Sequence, residues 1–169
     1  AVDALGREWQ LATVQLDYAM PTRFHLEYTD ADGSKKTPIM IHCALIGSIE
    51  RFMSVYLEHT AGWLPMWCAP ENVRILTVND QVSDYVAKIT DILDGVVLDE
   101  PIPNNKLRVY VDDSADSLGK KIRRATEMKI PCVIIVGPKD AEEGIVSVRL
   151  RDKEEKVKLS DLEEFIKKV

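Results

Sequence analysis

Five consecutive residues, Gly47-Ser48-Ile49-Glu50-Arg51, carry the sharpest chemical signal in this chain. They stand where an apolar-periodic helix begins. A helix start presents unpaired N–H groups and the positive end of its dipole, which suits an anion such as phosphate. Gly47 would let a ligand approach the backbone, and Arg51, in the first turn, carries a planar fork matched to phosphate oxygens. A capped helix with a surface Glu-Arg pair has the same spacing, so both readings stand. His42, next to Cys43, offers an imidazole to a metal. Neighbouring strand residues point to opposite faces, so Cys43 cannot join it on one ion. A zinc site needs three or four ligands, and His25 and His59 are too scattered to complete one. A single His is more often a hydrogen-bonded core residue.

A second group of candidates is basic. Lys120, Lys121, Arg123 and Arg124 form a run in one helical segment, and Arg149 and Arg151 alternate with Val148 and Leu150 in a late strand. The formal net charge of −6 disfavours non-specific nucleic-acid binding over the whole surface. Within that acidic background these groups would make a local surface for an anionic ligand. A solvated helix face accounts for the run equally. There is no Ser-His-Asp pattern, P-loop or GxGxxG string, and "PKDAEEG" (138–144) reads as a charged turn.

Two kinds of structure must position these residues. A chain that is 46% hydrophobic and 30% charged is of ordinary globular composition, and no apolar run approaches the roughly 18 residues of a membrane span. The N-terminus lacks the pattern of a signal peptide. Cys43, Cys68 and Cys132 are an odd, widely spaced set, which argues for a reducing cytoplasm. In "EWQLATVQLDY" (8–18), Trp9, Leu11, Thr13, Gln15 and Asp17 alternate with Gln10, Ala12, Val14, Leu16 and Tyr18. Polar groups fall on both sides, so the strand is expected to line a polar cavity. "RFHLEYT" (23–29) and "TPIMIHCAL" (37–45) read as further strands around a hairpin turn at "DADG" (30–33). From Ile49 the period turns helical, with Ile49, Phe52, Met53, Tyr56 and Leu57 on one stripe, Ser48 as cap and Gly62 beyond the end. "GWLPMWCAPENV" (62–73) reads as a packed linker between two domains, 1–69 and 70–169. After it come strand 73–79, helix 80–93, strand 105–113, helix 116–129, a buried parallel-type strand 131–137, strand 144–151 and helix 160–169. That is a small α/β domain with a mixed sheet, and "GVVLDEPIPNNK" (95–106) lengthens one connection.

In combination, the strings "GREWQLATVQLDY", "PTRF", "DADG", "PIMIH", "GSIERF", "AGWLPMW" and "APENV", in this order, resemble the C-terminal part of the threonyl-tRNA synthetases. That family belongs to the class II aminoacyl-tRNA synthetases, and the resemblance covers essentially all 169 residues. "IGSIERF" resembles the third class II motif, in which a strand leads into a helix bearing an ATP-binding Arg. The resemblance implies catalytic roles for Arg51 and Gln15, and ATP contacts from Gln10, Thr13, Ser48 and Arg51. It implies zinc held by one Cys and two His, of which only the last His, His42, lies here. Zinc would bind the hydroxyl and amino groups of threonine, a contact valine cannot make.

For the second domain the resemblance implies a mixed five-stranded sheet with three helices. Arg123, Asp140 and Arg149 stand at positions that contact anticodon bases, a recognition that needs hydrogen-bonding and stacking groups. The implied cofactors are ATP, magnesium and zinc. The implied partners are threonine, threonine tRNA and, for the full-length enzyme, a second copy, with no membrane and no DNA. The sequence departs from the pattern at Leu11, where Cys is common, at Cys43, where Arg is usual, at Ala115, where an anticodon-contacting Asn is expected, and at Asp140, which is shorter than Glu. Class II motifs 1 and 2 are missing from these residues, so the stretch alone is expected not to form threonyl-adenylate. A non-catalytic RNA-binding or regulatory module descended from a synthetase is the alternative.

Overall fold

The computed structural model describes residues 1–98 and 102–169, in two compact units, Ala1–Gly62 and Trp63–Val169. In the first unit, β1 (Thr13–Asp17) pairs antiparallel with β4 (Met40–Ala44), setting Gln15 opposite His42 and Asp17 opposite Met40. Cross-strand partners share a face. Thr13, Gln15, Asp17 and His42 therefore stand on one face of this ladder, and Val14, Leu16 and Ile41 lie exposed on the other. The mixed polarity read over residues 8–18 has a simple source: Gln10 lies ahead of the strand. Within β1 the polar groups do segregate.

Between these strands lie α1 (Ala19–Arg23) and a small hairpin of β2 (Tyr28–Thr29) and β3 (Lys35–Lys36). The hairpin turn falls at Asp30–Gly33 as expected, with Gly33 at φ +79. Its returning strand is Lys35–Lys36, however, and the segment 40–44 pairs with β1 instead. The helix α2 (Ile49–Thr60) begins at an extended Ser48 and ends in left-handed Ala61 and Gly62. Its expected apolar stripe is largely uncovered: Ile49, Met53 and Leu57 are exposed, and Val55 is its buried residue.

Residues ahead of β1 are organised by Asp3. Its carboxylate accepts N–H groups from the Leu5 and Arg7 backbones, the Arg7 side chain and the Trp9 indole. These bonds, the indole's foremost, hold the Asp3 carboxyl well below the usual carboxylate range.

The second unit holds a five-stranded sheet in the order β11-β10-β9-β5-β8. Its strands are β5 (Val73–Thr77), β8 (Val109–Asp112), β9 (Cys132–Val136), β10 (Ile145–Leu150) and β11 (Glu154–Lys158). β8, β5 and β9 run parallel, and β10 and β11 add antiparallel. A short pair, β6 (Val97–Leu98) and β7 (Asn105–Lys106), sits within the lengthened connection 95–106, whose residues 99–101 lie outside the described residues. The helices are α3 (Ser83–Asp94), α4 (Leu118–Glu127), α5 (Pro138–Glu143) and α6 (Leu162–Lys168). The segment read as a charged turn, 138–144, is thus a short helix with Pro at its first turn, a fourth among the described residues where three were expected.

The two faces of the sheet are unequally covered. One carries the main core, in which Val73, Ile75, Ile134 and Val146 meet Ile89 and Leu93 of α3 and Leu162 and Ile166 of α6, all fully buried. Burial of each such side chain contributes about 1.5–3 kcal/mol. The other face carries a smaller cluster of Leu76, Val133, Ile130 and Ala125 under α4.

From Trp63 onward the Pro- and Trp-rich stretch is strapped to this unit. The Asn72 amide donates to the Met66 and Ala69 carbonyls, and the Arg108 guanidinium donates to the Trp67 and Ala69 carbonyls. Polar side chains thus satisfy irregular backbone that no sheet or helix pairs.

Candidate functional site

At the start of α2, one Arg51 Nη donates to the Gln10 carbonyl at 3.0 Å, tying the first helical turn to the chain just ahead of β1. Gly47 makes that approach possible. It sits at φ +67, and a Cβ added there would meet the Leu11 carbonyl oxygen at 2.4 Å. Only glycine combines that backbone conformation with that clearance. The group drawn close to Gly47 is thus the protein's own backbone.

Ser48 Oγ accepts the Arg51 N–H at 3.4 Å and donates to Glu50 at 2.7 Å, a bond that draws the Glu50 carboxyl below its ordinary value. The cap expected of Ser48 is present, and the Arg51 side chain remains exposed beside it. Gln10, Ser48 and Arg51 form one group.

A second group lies on the polar face of the β1–β4 ladder, where Gln15, Asp17, Tyr18, Met20 and His42 line a shallow groove. His42 Nε2 lies 3.0 Å from Asp17 Oδ2, and the other Asp17 oxygen accepts the Ala19 and Met20 N–H groups at 2.9 Å each. The Met20 N–H first, then the His42 ring, holds the Asp17 carboxyl below its ordinary value. With Nε2 facing the carboxylate, Nδ1 is the ring nitrogen left for a ligand. Among the described residues no set of three His, Cys, Asp or Glu side chains could close around a metal. Thr13 lies at the head of the ladder, opposite Ala44 and half-buried. Asp17 as the partner of His42 is not apparent from the sequence, although alternation places it on the face of Gln15.

In the second unit the basic run on α4 proves to be largely neutralised. Lys121 is 3% exposed, and its ammonium donates to the Thr77 carbonyl, the Thr77 hydroxyl and the Asp112 carbonyl, each at 3.1 Å. Arg124 bridges Asp112 and Asp116, Lys120 pairs with Asp116 at 2.7 Å, and Arg123 pairs with Glu127 at 2.8 Å. Burial pushes the Asp112 carboxyl upward, but Arg124 and Ser114 outweigh it and the net shift is downward. The surface expected of four free cations is therefore a lattice of ion pairs over one buried lysine.

Asp140 is occupied as well. Its carboxylate accepts the Gly137 N–H at 2.9 Å and closes the first turn of α5. Arg149 differs from these groups. Val146 and Val148 turn into the main core, so Arg149 projects from the α4 side of β10, exposed and between Val133 and Glu154 in register. Among the described residues it has no ion pair. Arg123, Asp140 and Arg149 thus stand on three separate elements and make no hydrogen bond to one another.

The families that match fit this division. The family described as "tRNA synthetase class II core domain (G, H, P, S and T)" matches residues 1–60, and that described as "Anticodon binding domain" matches residues 72–169. A threonine–tRNA ligase of Gloeobacter violaceus is 48% identical over 156 residues, covering 92% of this chain and 23% of that protein. A threonine–tRNA ligase catalytic subunit of Sulfurisphaera tokodaii is 48% identical over 150 residues, 89% of this chain and 26% of that protein. The crystal structure of the RNA binding domain of threonyl-tRNA synthetase from Cryptosporidium parvum superposes with a TM-score of 0.82 at 31% identity, over 99% of this chain and 40% of that one. The chain spans about a quarter of the length of the curated relatives it matches. It belongs to the class II aminoacyl-tRNA synthetases of the threonyl type, carrying a segment of the class II core followed by an anticodon-binding domain.

Proposed function

We propose that this chain works as part of a threonine–tRNA ligase, in which residues 1–69 complete the site of ATP-dependent threonine activation and residues 70–169 read the anticodon of threonine tRNA. The observation that carries the reading is the sequence of core segment and anticodon-binding domain in one chain, with an exposed arginine at the expected position of each: Arg51 at a capped helix start and Arg149 on a sheet face. Arg51 holds an ATP phosphate, aided by the helix start behind Ser48. Gln10 and Thr13 flank the nucleotide, and Gln15 faces threonine. Magnesium accompanies the ATP phosphates, as in phosphoryl chemistry generally.

His42 is one zinc ligand, through Nδ1, with Asp17 fixing its ring. A ligating His is ordinarily oriented by such a carboxylate. The remaining ligands lie outside these residues. Zinc, when bound, supplies the contact that tells the threonine hydroxyl from a methyl group. Arg149 reads an anticodon base, and Arg123 and Asp140, on separate elements, contact the anticodon as well. The complete ligase works as a homodimer in the cytoplasm. Among the described residues no helix is long and apolar enough to cross a membrane.

The test uses the 169-residue chain directly. It is titrated with an RNA stem-loop carrying a threonine anticodon and with loops changed at one anticodon base. The reading expects the matched loop to bind more tightly, each decisive base change costing about 1–3 kcal/mol. Equal affinity for matched and scrambled loops would overturn the anticodon assignment.

A further inference from the structure

The basic run on α4 is paired or buried, and a different set of cations gathers elsewhere. Lys120, Arg123 and Arg124 each face carboxylates, and Lys121 is buried. Lys129 and Arg151 instead flank Trp63, and Arg149 lines the cleft beside it. The Lys129 ammonium lies 5.3 Å from the Trp63 ring centroid and the Arg151 guanidinium 5.6 Å from it, both within cation–π range. Arg149 and Arg151 line the same cleft as Trp63, together with Ile122 and Thr126 of α4. Among the described residues neither Lys129 nor Arg149 has an ion pair. Arg151 has one contact, 3.8 Å to its highly exposed neighbour Asp152. Solvent and salt reduce such a contact to little.

The backbone there is also unusual. Lys129 adopts φ +57 just past the end of α4, where its N–H bonds the Thr126 carbonyl and the next N–H bonds that of Ala125. Glycine or asparagine ordinarily fills this left-handed position. A lysine here sets its charge over Trp63 despite the conformational penalty. The helix dipole favours a cation at this end, but it does not explain the two arginines across the cleft. Two cations share one indole with Arg149 beside them, and among the described residues their single ion pair is the exposed contact of Arg151 with Asp152. The cavity itself is about 60 Å³ and opens to solvent, small beside the clefts of about 300–1,000 Å³ that enclose a whole ligand. A cleft of that size suits a phosphate group seated at its mouth.

We propose that the Trp63 cleft, bounded by Lys129, Arg149 and Arg151, binds a backbone phosphodiester of the RNA strand whose base Arg149 reads. This rests on the anticodon reading and adds a contact blind to sequence. Lys129 and Arg151 give affinity and register, and Arg149 gives discrimination, the ordinary division between phosphate and base contacts.

The test compares the 169-residue chain with the double variant Lys129→Asn/Arg151→Gln. Asparagine tolerates the left-handed backbone, so the fold is kept, and circular dichroism melting checks it. Matched and single-base-changed anticodon stem-loops are titrated at several salt concentrations. The double variant should bind both loops weakly to the same degree, with the matched-to-changed ratio intact. Its salt slope should fall by about one unit. Arg149→Ala should instead collapse that ratio. RNA should also change the Trp63 fluorescence of the unaltered chain, a signal absent in Trp63→Phe. Unchanged affinity and slope in the double variant, with discrimination intact in the unaltered chain, would overturn the phosphodiester site alone. If the unaltered chain binds no loop, or binds all alike, the anticodon reading falls and this site with it. Should the double variant melt early, Lys129→Asn alone must lower the slope, and no change would overturn the site.

Discussion

Asp17 and His42 are bonded diagonally across the β1–β4 ladder, and the same carboxylate also caps α1 through the Ala19 and Met20 N–H groups. The orientation of the imidazole is therefore fixed to the start of a helix. In the complete ligase, Asp17→Asn is expected to lower zinc affinity about 10- to 100-fold, the usual cost of losing a partner behind a metal ligand. Chelator competition measures this. Zinc retained as tightly as before would leave Asp17 as a helix cap only.

Arg51 makes one bond to the Gln10 backbone and is otherwise exposed. Arg51→Ala in the complete ligase should slow threonine-dependent pyrophosphate exchange by about 10²–10³, on the scale of a lost preorganised donor to a developing charge. Binding of threonine tRNA should be nearly unchanged. Full exchange activity would return Arg51 to a surface residue of a capped helix.

The acid limb of stability should be steep. Asp3, Asp17, Asp30 and Asp32 in the first unit, and Asp112 and Asp116 in the second, all titrate below the ordinary value of 3.8. The unfolded chain keeps that ordinary value and binds protons the folded chain refuses. These groups therefore stabilise the fold fully above roughly pH 5, and the contribution drains away as pH falls through 3.8 toward the depressed values. Asp3→Asn should narrow the difference in melting temperature between about pH 7 and about pH 3. An equally steep limb in that variant would remove Asp3 from the account.

Lys121 satisfies two backbone carbonyls at the ends of β5 and β8. Lys121→Met fills the volume but takes the ammonium from the Thr77 carbonyl and leaves the Asp112 carbonyl with only the long 3.5 Å bond from the Thr77 hydroxyl. Each buried unsatisfied group costs about 1–3 kcal/mol, so denaturant unfolding of the second unit should shift by at least that amount. A neutral or stabilising effect would mean that desolvating the ammonium offsets its hydrogen bonds.

Much of this was legible because burial leaves a periodic trace. Cys132–Val136 is buried along nearly its whole length, and its unbroken apolar run announces a parallel strand; Val73–Thr77 is as buried, but Arg74 breaks its run. β11 left no such trace. It is an edge strand of charged residues with Val157 alone buried, so its register comes from β10 and not from its own pattern. The inward turn of Lys121 was available in principle, since Leu118, Lys121, Ile122 and Ala125 recur at helical spacing. Its identity as a lysine hid its place on the apolar face. At the candidate sites, the types and positions of Ser48, Arg51 and His42 could be read directly. The clearance at Gly47 and the grouping around Trp63 could not, because both depend on segments far apart in the chain meeting in space.

The unequal covering of the five-stranded sheet has a dynamic consequence. The face under α3 and α6 holds most of the fully buried side chains, and α4 rests on a handful. Amides of β5 and β9 should exchange with solvent only when the whole unit unfolds, whereas those of α4 should exchange through a cheaper opening that lifts the helix alone. The Trp63 cleft is lined from both sides of that opening, by α4 and by β10. A strand held there would act as a latch, slowing hydrogen exchange at α4 amides that it never touches.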